Sequence, residues 1–267
     1  MFGFFTFLIG ASVGSFLNVA ADRVPGGRSL VRPRSYCESC KRTLGSIDMA
    51  PVLSYAWLRG KCRHCKTAIP FRVVLAEAIT GVLFLAVFLL YGFGIDFVVL
   101  CACLSLLVVI SFIDLERGLI LDVIVFPSIV LLLLFAPFWS EIGISRTFLG
   151  DETLIASLAN SSLSGLGAFL AFLIVAIINP AGMGGGDIKF AAVLGLMVGF
   201  PGILLAIWLS AIGGGVIAIG LILARRKTRK DSISFGPFMA IGAAVALIAG
   251  PNLIDWYQDL ASVIAGT

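Results

Sequence analysis

Three aspartates stand where so apolar a chain would be expected to avoid charge: Asp114 and Asp122 in "ISFIDLERGLILDVIVFP", and Asp187 in "AGMGGGDIKF". Carboxylates at membrane depth are costly to keep and mark functional positions by default. Each also has an ordinary structural reading. Asp122 would cap a helix beginning at Val123, Asp187 one beginning at Ile188, and Asp114 would be the wet end of a span. The glycines at 182, 184, 185 and 186 point further, because they strip side chains from around Asp187 and let a backbone or an extended ligand approach. No Gly-Lys-Ser/Thr follows them, so this is not a phosphate-binding loop. No strand precedes them, so it is not a dinucleotide fingerprint either. A carboxylate in a bare, partly dry pocket, with a second available from a neighbouring span, suits amide hydrolysis. The two share one proton: one takes a proton from the attacking water while the other protonates the carbonyl oxygen.

A second cluster lies earlier in the chain. "YCESCKRTL" and "GKCRHCKTAIPF" place Cys37, Cys40, Cys62 and Cys65 in two C-x2-C pairs separated by 21 residues. Each pair forms a tight knuckle presenting two thiolates, and two knuckles complete a closed, structural zinc site. Disulfides are the alternative, disfavoured in a reducing cytoplasm. His64, between two of the ligands and the only histidine, reads as an exposed loop residue. Cys101 and Cys103 lie inside an apolar run and read as packing residues.

The elements that must position these groups are membrane helices. Of 267 residues 60% are hydrophobic and 13% charged, and the mean hydropathy is +1.09, too apolar for an ordinary soluble domain. Spanning helices need about 20 apolar residues, and eight runs qualify or nearly so: 2–21, 73–92, 96–113, 121–139, 154–178, 187–200, 202–224 and 234–250. The sixth is short and ends at Pro201, as a helix packed inside the bundle or tilted would. No alternating pattern suggests a barrel. No Lys or Arg precedes Arg23, so the first run reads as a retained helix and not a signal peptide.

Eleven of the nineteen Lys and Arg residues, from Arg23 to Arg72, lie in the polar segment 22–72. Basic loops face the cytoplasm, which places this insert inside and the N-terminus outside. Eight passes then bring Arg117, Lys189 and the cluster Arg225, Arg226, Lys227, Arg229 and Lys230 to the same face, with only Arg146 outside. The net charge of +4 thus reflects orientation, and no basic, aromatic-rich surface suggests nucleic acid. With few large apolar residues, the insert would depend on its metal for order.

The chain resembles the type IV prepilin peptidases, bacterial leader peptidases and N-methyltransferases of the Gly-x-Gly-Asp intramembrane aspartyl protease family. The matching pieces are "GSFLNV" (14–19), "PRSYCESC" (33–40), "PVLSYAWLRGKCRHC" (51–65), "IDLERGLILD" (113–122), "GMGGGDIK" (182–189) and "FGPFMAIG" (235–242). The resemblance implies a catalytic dyad of Asp114 and Asp187, with Asp122 matching an acid eight positions after the first catalytic one. The usual Leu-Pro-Asp there is Ile120-Leu121-Asp122 here. It implies an all-α polytopic membrane protein of about eight transmembrane helices with a small cytoplasmic four-cysteine zinc-binding insert. The division is a first helix (1–21), the insert (22–72) and a peptidase domain (73–267). Substrates would be prepilin or pseudopilin precursors, whose basic leader is cut at the cytoplasmic face of the bacterial inner membrane. Methylation of the new N-terminus would follow, using S-adenosylmethionine, with Cys37, Cys40, Cys62, Cys65 and Gly60 as the matching positions. Gly60 is a candidate cofactor contact because a Cβ there would block a close backbone approach or a positive φ. A basic leader docking on the basic insert would need a local acid: Glu38, Asp48, Glu77 or Glu116.

Two rivals come from other classes. A transporter would use the same aspartates as a proton relay, but the chain lacks evident inverted repeats and the cysteines would be unexplained. A non-enzymatic assembly factor would use the cysteine module to bind a partner.

Overall fold

The computed structural model describes residues 2–45, 47–141, 153–180, 182–224 and 234–265. Arg146 and the cluster Arg225, Arg226, Lys227, Arg229 and Lys230 lie outside the described residues. Within them the chain is helical, with no named strand and only two isolated bridges. The helices are α1 (Phe2–Arg23), α2 (Leu53–Trp57), α3 (Phe71–Tyr91), α4 (Ile95–Arg117), α5 (Asp122–Phe135), α6 (Leu154–Ile178), α7 (Gly185–Val198), α8 (Gly202–Leu223) and α9 (Gly236–Ala265).

Every apolar run is a helix, because a backbone in lipid must satisfy its own hydrogen bonds. Five of these helices, α1, α3, α4, α6 and α8, are long and apolar enough to cross a membrane. The count of eight spans is not reached on length. α5 stops at a 3-10 turn, Ala136–Phe138, and α7 has 14 residues, about 21 Å against a core of about 30 Å. α9 runs to Ala265, but its apolar part is Gly236–Gly250.

The chain divides into two compact units, Met1–Ile113 and Asp114–Thr267, with the division inside α4. The first unit groups the first helix and the insert with α3 and most of α4, which the sequence assigns to the peptidase part. There α1 and α3 pack antiparallel: Gly3 meets Leu85 at one end, and Asp22 pairs with Arg72 at the other. In the second unit α7 is the central helix. Phe190, Ala191 and every residue from Val193 to Val198 are buried, and α5, α6, α8 and α9 all pack on it. The short sixth run is therefore an interior helix. Its closest neighbour is α6, where a Cβ on Gly195 would run into the Ser164 carbonyl and one on Gly165 would sit 2.8 Å from Leu196 Cγ. Small residues let two backbones approach where lipid supplies no hydrophobic drive between helices. Past the end of α7, buried Asn160 takes the Phe200 N–H at 2.8 Å and donates to the Phe200 carbonyl at 3.1 Å.

Candidate active site and metal centre

Asp114 lies one turn before the end of α4 and is 4% exposed. It is thus buried, and not the wet end of a span. Its Oδ2 accepts the Gly236 N–H at 3.0 Å, and its carbonyl accepts the Ser234 hydroxyl at 2.9 Å and the Gly118 N–H at 2.8 Å. The first N–H of α9 therefore holds the carboxylate, and the Ser234 hydroxyl just before that helix holds the main chain of the same residue. Gly236 is required there, since a Cβ would stand 2.6 Å from Asp114 Oδ2.

Asp187 is the third residue of α7, which begins at Gly185 and not at Ile188. Its Oδ2 accepts the Gly184 N–H at 3.2 Å, so it does cap, reaching back to one of the N–H groups a helix start leaves free. The glycines act as their bareness suggests. A Cβ on Gly186 would sit 2.9 Å from Ile120 Cβ, whereas one on Gly185 would meet nothing. One glycine seats α7 against the loop between α4 and α5, and the next faces open space. Asp114 and Asp187 are close enough for their charges to interact.

Asp122 is not a cap. α5 starts on it, its N-cap is Leu121, and no side chain caps it. Its two oxygens instead take Lys189 Nζ at 2.8 and 2.9 Å, and that ammonium also lies 5.3 Å from the centre of the Phe126 ring. This pair joins the first turns of α5 and α7, which flank the 118–121 loop. Lys189 and Gly236 carry no signal of their own in the sequence, although "GMGGGDIK" and "FGPFMAIG" contain them, and Ser234 lies just before the second.

The four cysteines come together. All are free thiols, and their sulfurs lie within 4.8 Å of one another, Cys37 and Cys65 at 3.7 Å. Zinc held by four thiolates at roughly 2.3 Å places neighbouring sulfurs roughly 3.8 Å apart, so this donor set fits the ion. The two knuckles repeat one design. Cys37 N–H bonds the Arg42 carbonyl and Cys62 N–H the Thr67 carbonyl; Lys41 and Lys66 occupy the same left-handed position; and bridges join Tyr36 to Thr43 and Lys61 to Ala68. The Thr67 hydroxyl and N–H hold the Cys65 thiol down at about 6, and the Cys40 and Ser39 N–H groups lower Cys37. The Arg42 N–H favours a thiolate at Cys40 too, but desolvation and the crowding Cys37 and Cys65 sulfurs push that thiol up to about 11.

Two family models together match most of the chain. Residues 8–91 match the bacterial peptidase A24 N-terminal domain, and residues 101–219 match the type IV leader peptidase family. A prepilin leader peptidase/N-methyltransferase of Bacillus subtilis (strain 168) is 31% identical over 96% of this chain and 97% of its own length. The chain belongs to the type IV leader peptidase family, and it is an enzyme. A protein of the same description from Aeromonas hydrophila is 31% identical over 94% of this chain and 92% of its own, and one from Myxococcus xanthus (strain DK1622) is 31% identical over 84% and 64%. No solved structure matches.

Of the other positions, Gly60 has φ +69, and a Cβ there would lie 2.9 Å from the Tyr55 hydroxyl. Tyr55 thus covers the face that the sequence offers to a cofactor. Gly60 shapes the turn before the second knuckle. His64 is exposed, with Nδ1 3.2 Å from an Arg42 nitrogen. Cys101 and Cys103 are buried. Asp48 pairs with Arg63, and Glu77 is buried under the Val52 N–H. Neither is free to meet a basic leader.

Proposed function

We propose that this enzyme removes the basic leader of type IV prepilins and pilin-like precursors at the cytoplasmic face of the bacterial inner membrane, with Asp114 and Asp187 as its acid–base pair. The observation that carries this reading is the pairing itself: two carboxylates 73 positions apart interact, one held by the Gly236 N–H and the other by the Gly184 N–H. One carboxylate accepts a proton from the attacking water and its protonated partner donates to the amide oxygen; on collapse the proton passes to the leaving amine. The fixed N–H groups hold each carboxylate in place between these steps, and the open side of Gly185 leaves room for an extended peptide.

Cys37, Cys40, Cys62 and Cys65 hold one zinc, which gives the insert its order. The insert serves methylation of the new N-terminus, the second activity in the relatives' description. Residues 22–72 then form the methyltransferase-associated part and 73–267 the peptidase. The eight apolar helices cross or enter the membrane with the N-terminus outside and the insert inside.

The deciding experiment incubates purified protein with a pilin precursor and compares Asp114→Asn and Asp187→Asn. An amide keeps the volume and loses the exchangeable proton, so each variant is expected to abolish cleavage while keeping its fold and its zinc. Normal turnover by either variant would sink the dyad.

A further inference from the structure

Glu77 belongs to neither site, yet it is the one acid that is buried among the described residues of the first unit, at 5% exposure on α3. Its Oε2 accepts the Val52 N–H at 2.7 Å, across 25 residues of chain, and the Ser15 side chain of α1 also bonds it. Beside Ser15, Gly14 brings α1 so near that a Cβ would lie 2.8 Å from Glu77 Cα.

Val52 is one of four described non-glycine residues of this unit with positive φ, and the only one of them that is β-branched. It has φ 59 and ψ −47, and Leu53 N–H bonds the Pro51 carbonyl across it. That is a γ-turn of the rare, strained hand, and a β-branched side chain suits it badly. Strain of this kind persists only where the surroundings impose it. Here the surrounding group is the Glu77 carboxylate.

What the strained turn positions can be followed bond by bond. Val52 is the N-cap of α2, whose Tyr55 carbonyl takes the Gly60 N–H at 2.9 Å while the Tyr55 ring covers Gly60. The Gly60 carbonyl accepts the Ile69 N–H at 2.7 Å, closing the loop that carries Cys62 and Cys65.

We infer that Glu77 is a positioning residue: anchored between α1 and α3, it holds the Val52 turn, and through α2 and Tyr55 it sets the Gly60 loop and the second cysteine knuckle. The inference rests on the reading that the insert serves methyl transfer, and it assigns Glu77 no part in cleavage.

The test uses the full-length zinc-loaded enzyme with a pilin precursor and S-adenosylmethionine, with two mass-spectrometric readouts, leader removal and N-terminal methylation, and limited proteolysis of residues 50–69 as a third. Glu77→Ala is expected to leave cleavage and zinc content unchanged, open the 50–69 segment to protease and lower methylation by about tenfold or more, as loss of a hydrogen bond to a charged group implies. Glu77→Gln keeps an acceptor oxygen and should fall much less. Val52→Gly placed in the Glu77→Ala background should restore protection and most of the methylation, because glycine adopts that conformation without being held. A generally misfolded variant would not respond to a glycine at 52. Loss of cleavage and methylation together, or loss that Val52→Gly leaves uncorrected, would overturn the inference. An unmutated enzyme that cleaves and never methylates would refute the methyl-transfer reading instead, and the protease pattern alone would then decide whether Glu77 holds the turn.

Discussion

Asp114 is held by contacts finer than its burial, and these make a sharper probe than deleting the carboxylate. Gly236→Ala would place a methyl group 2.6 Å from Asp114 Oδ2, forcing the carboxylate or the start of α9 to move. Displacing a reacting group by an ångström costs on the order of 100-fold in rate. We therefore expect kcat for leader cleavage to fall by at least about tenfold with KM little changed, as steady-state assays on a pilin precursor would show. The Asp122–Lys189 pair belongs to a different class. Its side chains are 54% and 37% exposed, and exposed pairs contribute about 0–1 kcal/mol. Asp122→Asn and Lys189→Met should each shift unfolding in detergent by less than about 1 kcal/mol, and the double variant should add little to either single one. A loss of several kcal/mol from either would show that the pair does more than join two helix starts.

Among the elements, α7 decides the geometry of the second unit. It is too short to be a simple span and is almost wholly interior, so its position answers to packing and not to lipid. Two of its glycines touch different neighbours, which separates stability from activity. Gly195→Leu would drive a side chain into the Ser164 backbone of α6 and should destabilise the protein by about 1–3 kcal/mol or more, the range for overpacked interiors. Thermal melts in detergent measure that. Gly186→Val would press instead on Ile120, in the loop after Asp114. It should reduce cleavage strongly with a smaller change in melting temperature, because it moves the first turn that carries Asp187. Equal losses of stability from the two substitutions would contradict this division of roles.

At the scale of the whole molecule, metal and membrane orientation are the properties to test. Among its described residues the insert has a 3-10 turn, one five-residue α-helix and two knuckles, while α1 and α3 pack directly on each other. Chelation should remove one zinc per chain and open residues 33–70 to protease while the far-ultraviolet helical signal remains, since zinc binding is folding free energy only for the segment it organises. Protein purified without chelators and lacking zinc by elemental analysis would count decisively against the metal. For orientation, a reporter active only outside the cytoplasm should be silent when fused after residue 60 and active when fused after residue 150, as the basic-residue distribution requires.

What the sequence determined by itself was local: apolar runs that lipid forces into helices, two C-x2-C pairs whose spacing makes knuckles, and acids too costly to keep without use. Each depends on residues within a few turns of one another, so composition and period are enough to show it. Helix starts were already less legible. α5 begins on Asp122, whose carboxylate turns to Lys189 from elsewhere in the chain, and α7 begins at Gly185, with Asp187 capping from its third position and not from before the helix. Resemblance named Asp114 and Asp187, but no pattern in the chain shows the Gly236 N–H reaching Asp114 across 122 positions, Lys189 reaching Asp122 across 67, or Glu77 holding Val52 across 25. Those were decided by the tertiary structure, because which helix faces meet depends on side-chain volumes on several helices at once. The covering of Gly60 by Tyr55 is of the same kind: the glycine and its turn are visible in the sequence, and the ring that fills the space beside it is visible only once α2 has folded back upon it.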